Sequence, residues 1–223
     1  MPSSQTRPRL GSRGRPEETR TAILQAAVRE FARGGIAGAR TDAIARAAKV
    51  NKALLYYYYR DKEALYQAAL DHVFHERNEF LLRVLAEDIP PGEKIVRYVG
   101  AFFDYLAEHP SHREMVQREM VARGSHMQRI VKLYMKPIYE ELVKVLREGI
   151  AAGTFRPVDP LQFIPSMVAV IVHYFGSAPL VKLMTQEDPL SPERIASRRA
   201  AVLDFVSAAL FRPTALPLEG EHS

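Results

Sequence analysis

Apolar residues recur at three- and four-residue spacing along most of the chain, the period of helices with one buried face. Over 17–33, Ile23, Leu24, Ala27, Val28 and Phe31 fall on one such face, and Gly34-Gly35 supplies the stop. A short helix is predicted over 41–48, with Ile44, Ala45 and Ala48 inward. Arg40 stands where a capping Ser or Thr is common, which shifts the cap to Thr41 or leaves it weaker. After Lys49-Val50 a second short helix opens at Asn51, a good N-cap, and runs to about 58. A long helix follows over 62–86, ended by Ile89-Pro90-Pro91-Gly92. The next, over 93–108, carries Ile95, Val96, Val99, Phe102, Phe103 and Leu106. Further helices are predicted at about 111–123, 126–152, 160–183 and 192–211, with Gly124-Ser125-His126-Met127 as a native turn. No run of alternating apolar residues competes for strand, so the fold class is all-α.

Residues 1–16 are rich in Pro, Ser, Gly and Arg with almost no apolar residue, and read as a flexible basic arm; 213–223 read as a flexible tail. Residues 161–181 hold no Asp, Glu, Lys or Arg over 21 positions, the length of a membrane span. Gln162, Ser166, His173, Ser177, two prolines and a glycine, with no flanking aromatic belt, favour instead a helix buried against others, a partner subunit's included. No membrane partner is expected. The first twenty residues lack the apolar core of a signal peptide, which places the expected site of action in the cytoplasm.

Charge adds a second layer. The chain of 223 residues has 31 Lys+Arg against 26 Asp+Glu, a net of +5. Residues 1–62 hold 13 basic and 5 acidic residues, net +8, whereas the remainder holds 18 and 21, net −3. A basic head on a slightly acidic body is the distribution expected of a nucleic-acid reader. With no cysteine there is no disulfide, thiolate metal site or cysteine nucleophile. No nucleophile–base pairing, phosphate loop or paired-carboxylate motif stands out, so neither an enzyme nor a cofactor is expected. His72 and His75 lie one helical turn apart without a third ligand nearby, too little for a metal site.

Two short helices joined by a tight turn, after a longer first helix, are the makings of a helix-turn-helix. In the run 51–59, Leu55 and Tyr59 are four apart and share the inward face, while Lys52, Ala53, Tyr56 and Tyr57 point the other way. Small and aromatic side chains there suit thymine methyls and sugars, and Lys and tyrosine hydroxyls suit phosphates or guanine edges. Tyr58 and Tyr59 are assigned to the core.

The stretch from Thr19 to about Leu70 resembles the TetR/AcrR family of bacterial transcriptional regulators. The matching positions are Ile44-Ala45, Ala48-Lys49-Val50, Asn51, the run Leu55 to Tyr59, and Lys62. The resemblance implies that Thr41 and Tyr56 contact phosphate, that Lys52, Ala53 and Leu54 face bases or nearby backbone, and that Tyr57 contacts base or backbone. It also implies that Lys62 holds a phosphate at the start of the fourth helix, where a helix N-terminus favours an anion. Lys49 departs from the glycine usual in the turn; a left-handed residue there costs about 1 kcal/mol and adds a charge near the DNA backbone. The arginines of the arm, Arg7, Arg9, Arg13 and Arg15, are placed either in a minor groove or in an arm without a specific role.

The resemblance further implies that 17–71 form the DNA-binding domain and 72–212 a ligand-binding and dimerisation domain. Phe102, Phe103, Met115, Met120, Tyr134, Tyr139, Met167 and His173 are candidate pocket walls, and His112, Arg118, Glu119 and His126 candidate polar anchors. The helices at about 160–183 and 192–211 are placed to form a homodimer interface through Val168, Ile171, Val172, Tyr174, Phe175, Ile195, Val202, Phe205, Val206 and Leu210. The expected partners are therefore a palindromic double-stranded DNA operator, a second copy, and a small, largely apolar effector. The rival is a ligand-independent architectural or nonspecific DNA-binding protein.

Overall fold

The computed structural model describes residues 16–122 and 126–212. The basic arm up to Arg15, the Gly124-Ser125 turn and the tail from 213 lie outside the described residues. In chain order the helices are α1 (Pro16–Gly38), α2 (Thr41–Ala47), α3 (Lys52–Tyr58), α4 (Lys62–Leu85), α5 (Pro91–Glu108), α6 (Pro110–Ala122) and α7 (Met127–Ile130). A π-helical turn (Val131–Met135) then leads into α8 (Lys136–Ala151), followed by α9 (Pro160–Thr185) and α10 (Pro192–Leu210). Among the described residues the β-structure is a single antiparallel bridge between Phe155 and Phe211. Pro16, expected as the last residue of the arm, instead opens α1. Proline suits that position, because its missing N–H is one the first turn cannot use.

The described residues up to Glu76, with His109–Val131, form one compact unit, and Arg77–Glu108 with the residues from Lys132 onward form a second. This departs from a division at 71/72, because α6 and α7 return to the first unit. The reason lies in polar ties made by their side chains. Arg118 donates from Nε to the Ala32 carbonyl at 2.7 Å and from Nη2 to the Arg33 carbonyl at 3.0 Å. The Tyr66 hydroxyl donates to Glu119 Oε2 at 2.9 Å, and Arg129 donates to Asp71 Oδ2 at 2.7 Å. The apolar face of α1, with Ile23, Ala27, Val28 and Phe31 all buried, meets Tyr66 edge-on. Gly35 breaks the helical register of α1 at φ 61°, so the predicted glycine stop is a kink followed by one more turn.

In the second unit, α5 packs against α8, α9 and α10. Ile95, Val99, Phe102, Phe103 and Leu106 are buried there, whereas Val96 of the same predicted stripe is exposed. Phe155 is fully buried and lies so close to α8 that a Cβ at Gly149 would sit 2.1 Å from its ring. Asp159 caps α9 by accepting from the Leu161 N–H at 2.9 Å. One face of α9, through Ile164, Met167, Ile171, Phe175 and Ala178, joins the core with Val202, Val206 and Leu210 of α10.

Candidate nucleic-acid interface and internal cavities

The candidate reading face is built from α2, α3 and the turn between them. α2 starts at Thr41 with Arg40 in the capping position and no side-chain hydrogen bond to the first turn, the weaker of the two expected arrangements. Its C-terminal end is a Schellman turn. Val50 N–H bonds the Ala45 carbonyl, Lys49 N–H bonds the Arg46 carbonyl, and Lys49 takes the left-handed position at φ 57°. α3 then starts under a strong cap, Asn51 Oδ1 accepting from the Leu54 N–H at 2.7 Å.

Leu55 and Tyr59 anchor α3 inward, at 0% and 6% exposure, while Lys52, Ala53, Tyr56 and Tyr57 face outward. Tyr57 is 81% exposed, an unusual position for a large aromatic ring with no task at the surface. The Thr41 hydroxyl lies 3.4 Å from the Tyr56 hydroxyl, so two residues fifteen positions apart present adjacent hydroxyls at one spot. Lys52 Nζ pairs with Asp42 Oδ1 at 2.9 Å, which holds the Asp42 carboxyl below the usual range and raises Lys52. This exposed pair is weak enough to be exchanged for a phosphate. Lys49 is exposed beside the same helices.

Three features differ from expectation. Leu54 is buried, because the inward face of this helix of about two turns takes both leucines; its side chain is core and offers no surface to a base. Tyr58 is only half-buried, its hydroxyl donating to the Pro16 carbonyl at 3.5 Å. Lys62 donates from Nζ to the Ala37 carbonyl at 3.2 Å. The α4 N-terminus already has its anion, since Asp61 accepts from the Ala64 N–H at 2.8 Å. That hydrogen bond, and then Arg60, lower the Asp61 carboxyl. A phosphate at Lys62 would therefore rely on the ammonium and not on the helix end.

The candidate pocket residues divide between the two units. In the second unit a cavity of about 200 Å³ is lined by Phe102 and Tyr139, both expected, together with Arg77, Leu81, Tyr98, Met135, Ile138, Leu142, Ile164 and Val168. Phe103 and Met167 are core instead, and Phe103 packs its ring 5.1 Å from that of Phe175. Tyr134 serves through its backbone carbonyl, which accepts from Asn78 Nδ2. His173 is exposed on the outer face of α9. Met115, Arg118 and Met120 belong to the first unit, where Met115 is core, Arg118 clamps α1 and Met120 is half-exposed. Helical periodicity marks these positions as inward, yet it cannot say which interior each one reaches.

Arg77 and Tyr98 are cavity-lining residues that sequence reasoning missed. The signal for Arg77 is its phase: it falls in the stripe of Leu70, Val73, Phe74, Leu81 and Leu85, all buried. An arginine in the apolar stripe of a helix is either paired inside or lines a cavity. Burial lowers its pKa, partly offset by the fields of Tyr98 and Tyr105, and its guanidinium lies 5.9 Å from the centre of the Phe102 ring. Burial pushes the Tyr98 hydroxyl up to about 12.

A second cavity, of about 620 Å³, lies in the first unit, where three expected polar anchors, Arg118, Glu119 and His126, meet Glu63 and Tyr66. His126 Nε2 lies 3.0 Å from Glu63 Oε1. His112 lies elsewhere in that unit, its ring 5.0 Å from His109 and 6.5 Å from His72. Among the described residues no group of three or more His, Asp or Glu is placed to hold a metal ion.

Comparison with known proteins adds five matches. Residues 23–69 match the family described as bacterial regulatory proteins, tetR family, and residues 91–206 match the tetracyclin repressor-like C-terminal domain. The HTH-type transcriptional repressor NicS of Pseudomonas putida is 28% identical over 165 residues, 72% of this chain and 77% of that protein. The HTH-type transcriptional regulator RutR of Escherichia coli K12 is 30% identical over 166 residues, 74% of this chain and 77% of its own length. The solved structure of SCO4942 from Streptomyces coelicolor is 28% identical, with a TM-score of 0.66 over 87% of this chain and 99% of that one.

Proposed function

The chain belongs to the TetR family of bacterial regulatory proteins, and from that premise we propose that it is a ligand-responsive repressor that binds a palindromic operator as a homodimer. As a member of that family it is a DNA-binding transcriptional regulator and not an enzyme. The observation that carries the finer reading is the outer face of α3, a rigidly capped short helix that presents Tyr57 at 81% exposure with Lys52, Ala53 and Tyr56 beside it. Tyr57 and Ala53 suit base edges and thymine methyls, while the adjacent Thr41 and Tyr56 hydroxyls, Lys49 and Lys52 suit phosphates. Residues 17–71 supply this reading head, and α6 and α7 brace it.

The dimer rests on α9 and α10. Of the residues first assigned to that interface, Ile171, Phe175, Val202, Val206 and Leu210 are core of their own unit, and Val168 lines the cavity. The exposed face keeps Phe205 of those residues and otherwise follows a different stripe. Leu161, Pro165, Ala169, His173, Gly176, Leu180, Leu183 and Met184 run along α9, and Ser197, Ala200, Ala201, Asp204, Phe205 and Ala208 along α10, all exposed. Pro160–Thr185 is long and apolar enough to cross a membrane, with 28% of its most apolar window buried. A second copy of the same face covers such a stripe isologously, and its small residues let helices approach closely. Two reading heads related by a two-fold axis select an operator with the same symmetry.

The effector occupies the 200 Å³ cavity. Arg77 and Leu81 of its wall and Lys62 of the head lie on the same helix, α4, so an occupant that shifts α4 changes how the two heads are presented to DNA. NicS is named a repressor, which favours repression here. The deciding experiment is selection of bound DNA from a random pool. A recovered palindrome, lost for Tyr57→Ala, supports the reading; recovery without sequence preference, with a steep salt dependence, identifies a nonspecific binder instead.

A further inference from the structure

We propose that Asp42 is a specificity-determining residue of the reading head: with Lys52 it forms an acceptor–donor couple that reads a G·C base pair in each half-site. The inference rests on reading the outer face of α3 as the surface that selects the operator, and it names a base pair which that face selects. Placement comes first. Asp42 stands in the first turn of α2 and Lys52 opens α3, and Lys52 Nζ lies 2.9 Å from Asp42 Oδ1. Tyr56, four positions on and on the same face of α3, has its hydroxyl 3.4 Å from that of Thr41, the neighbour of Asp42. Two contacts one helical turn apart thus lay the start of α2 along the outer face of α3. Both charged side chains stay open there, Asp42 at 53% exposure and Lys52 at 50%.

Chemistry decides what the couple fits. Lys52 first, then Arg40 and Arg46, hold the Asp42 carboxyl below the usual range, so at physiological pH it only accepts hydrogen bonds. An exposed ion pair of this kind is weak enough to open to a better partner. Opening toward a phosphate would leave the carboxylate beside a second anion. A base edge suits both groups at once. In the major groove guanine offers two adjacent acceptors, N7 and O6, and cytosine offers the neighbouring N4 donor. O6 and N4 are hydrogen-bonded to each other across the base pair at the usual spacing of about 2.9 Å, which matches the spacing of Nζ and Oδ1. The ammonium therefore meets O6 and N7 while the carboxylate accepts from N4. An A·T pair sets its donor, adenine N6, between the acceptors N7 and O4, with a methyl group beside O4. A carboxylate placed there faces an acceptor on either side. Asp42 is thus a filter as well as a contact, because DNA without the matching pair offers it no well-placed donor.

The test is selection of bound DNA from a random pool, run with the full chain unaltered, with Asp42→Ala and with Lys52→Ala. The unaltered chain is expected to recover half-sites that share a G·C pair, and inverting that pair to C·G should weaken binding about tenfold or more. For Asp42→Ala the cost of the inversion is expected to shrink to about threefold or less, while DNA without the site binds as tightly as before or more tightly. Lys52→Ala is expected to relax the same position. If one variant does not fold, the other decides. Unchanged selectivity in Asp42→Ala makes the pair an ordinary surface contact, and uniform weakening of Lys52→Ala across all sequences makes Lys52 a phosphate contact. Relaxation at an A·T position gives the couple a different base pair. Each of these results overturns the proposal. The two readings fail separately. A palindrome whose selected bases are unaffected by Asp42→Ala keeps the operator reading and removes the couple. A single half-site whose G·C preference is lost in Asp42→Ala keeps the couple and removes the two-fold operator, and absence of any sequence preference in the unaltered chain removes both.

Discussion

Lys49 holds a left-handed backbone at φ 57° in the turn between α2 and α3, where a Cβ is strained and glycine is not. It is also an exposed cation beside the reading helix. Lys49→Gly is expected to raise the stability of the chain by about 0.5–1 kcal/mol and to weaken binding to all DNA sequences. Thermal unfolding and a salt-dependent binding series read the two effects separately. His112 works in the opposite sense. Burial first, then the charges of His109 and His72, lower its imidazole from 6.5 to about 4. Between those values the unfolded chain binds a proton that the folded site refuses. The stability is therefore complete above pH 6.5 and is lost as the pH falls toward 4. The ring is 15% exposed and lies 4.0 Å from the half-exposed Glu76, which offsets part of the effect. A loss on the order of 2 kcal/mol is expected across that window, and His112→Gln should flatten it in urea unfolding at pH 7 and pH 5. Neither residue's role follows from its identity alone. Lys49 was legible because the turn is local, whereas the depression at His112 needs its burial in the folded unit and the approach of His72 from forty positions away.

At the scale of elements, periodicity and caps carry most of the information. Every predicted helix is present within a few residues, because Asn51, Asp159 and Ser191 each accept a first-turn N–H and the glycines and prolines between helices act locally. What escapes is the fine geometry: the kink at Gly35, the π-helical turn that interrupts the helix expected over 126–152, and the return of α6 to the first unit. The Gly149–Phe155 contact is of this kind. Gly149→Ala would bring a Cβ to 2.1 Å from a fully buried ring that has no room to retreat. It is expected to cost about 1–3 kcal/mol by overpacking, measured as a lower denaturant midpoint with an unchanged slope. Gly153, at φ 74° in the turn that follows, tolerates a side chain sterically but not conformationally.

At the scale of the molecule the exposed faces of α9 and α10 carry the proposed dimer. Phe205 is 58% exposed and Leu180 also 58%, each within the apolar stripe assigned to the second copy. Phe205→Asp with Leu180→Asp is expected to give a folded monomer by light scattering at micromolar concentration. Affinity for a full palindrome should fall to that for a half-site, since the linkage between heads is lost. Unchanged mass would place the interface elsewhere.

The sequence alone determined the all-α class, the approximate span of most helices and the basic charge of the N-terminal head, because helical period, caps and net charge are properties of near neighbours. It also located the outer face of α3, since which side chains of a short helix point out depends on spacing of three and four. Tertiary structure decided what depends on distant contacts. It moved Leu54 inward, brought Thr41 to Tyr56, and tied Arg118 to the carbonyls of α1 at the wall of the first unit's cavity. It also placed Arg77, one more cation on a long helix, in the wall of a mostly apolar cavity, with Asn78 Oδ1 accepting from its guanidinium at 3.2 Å. The enclosure of a cavity is set by several helices at once, and no one helix's pattern contains it.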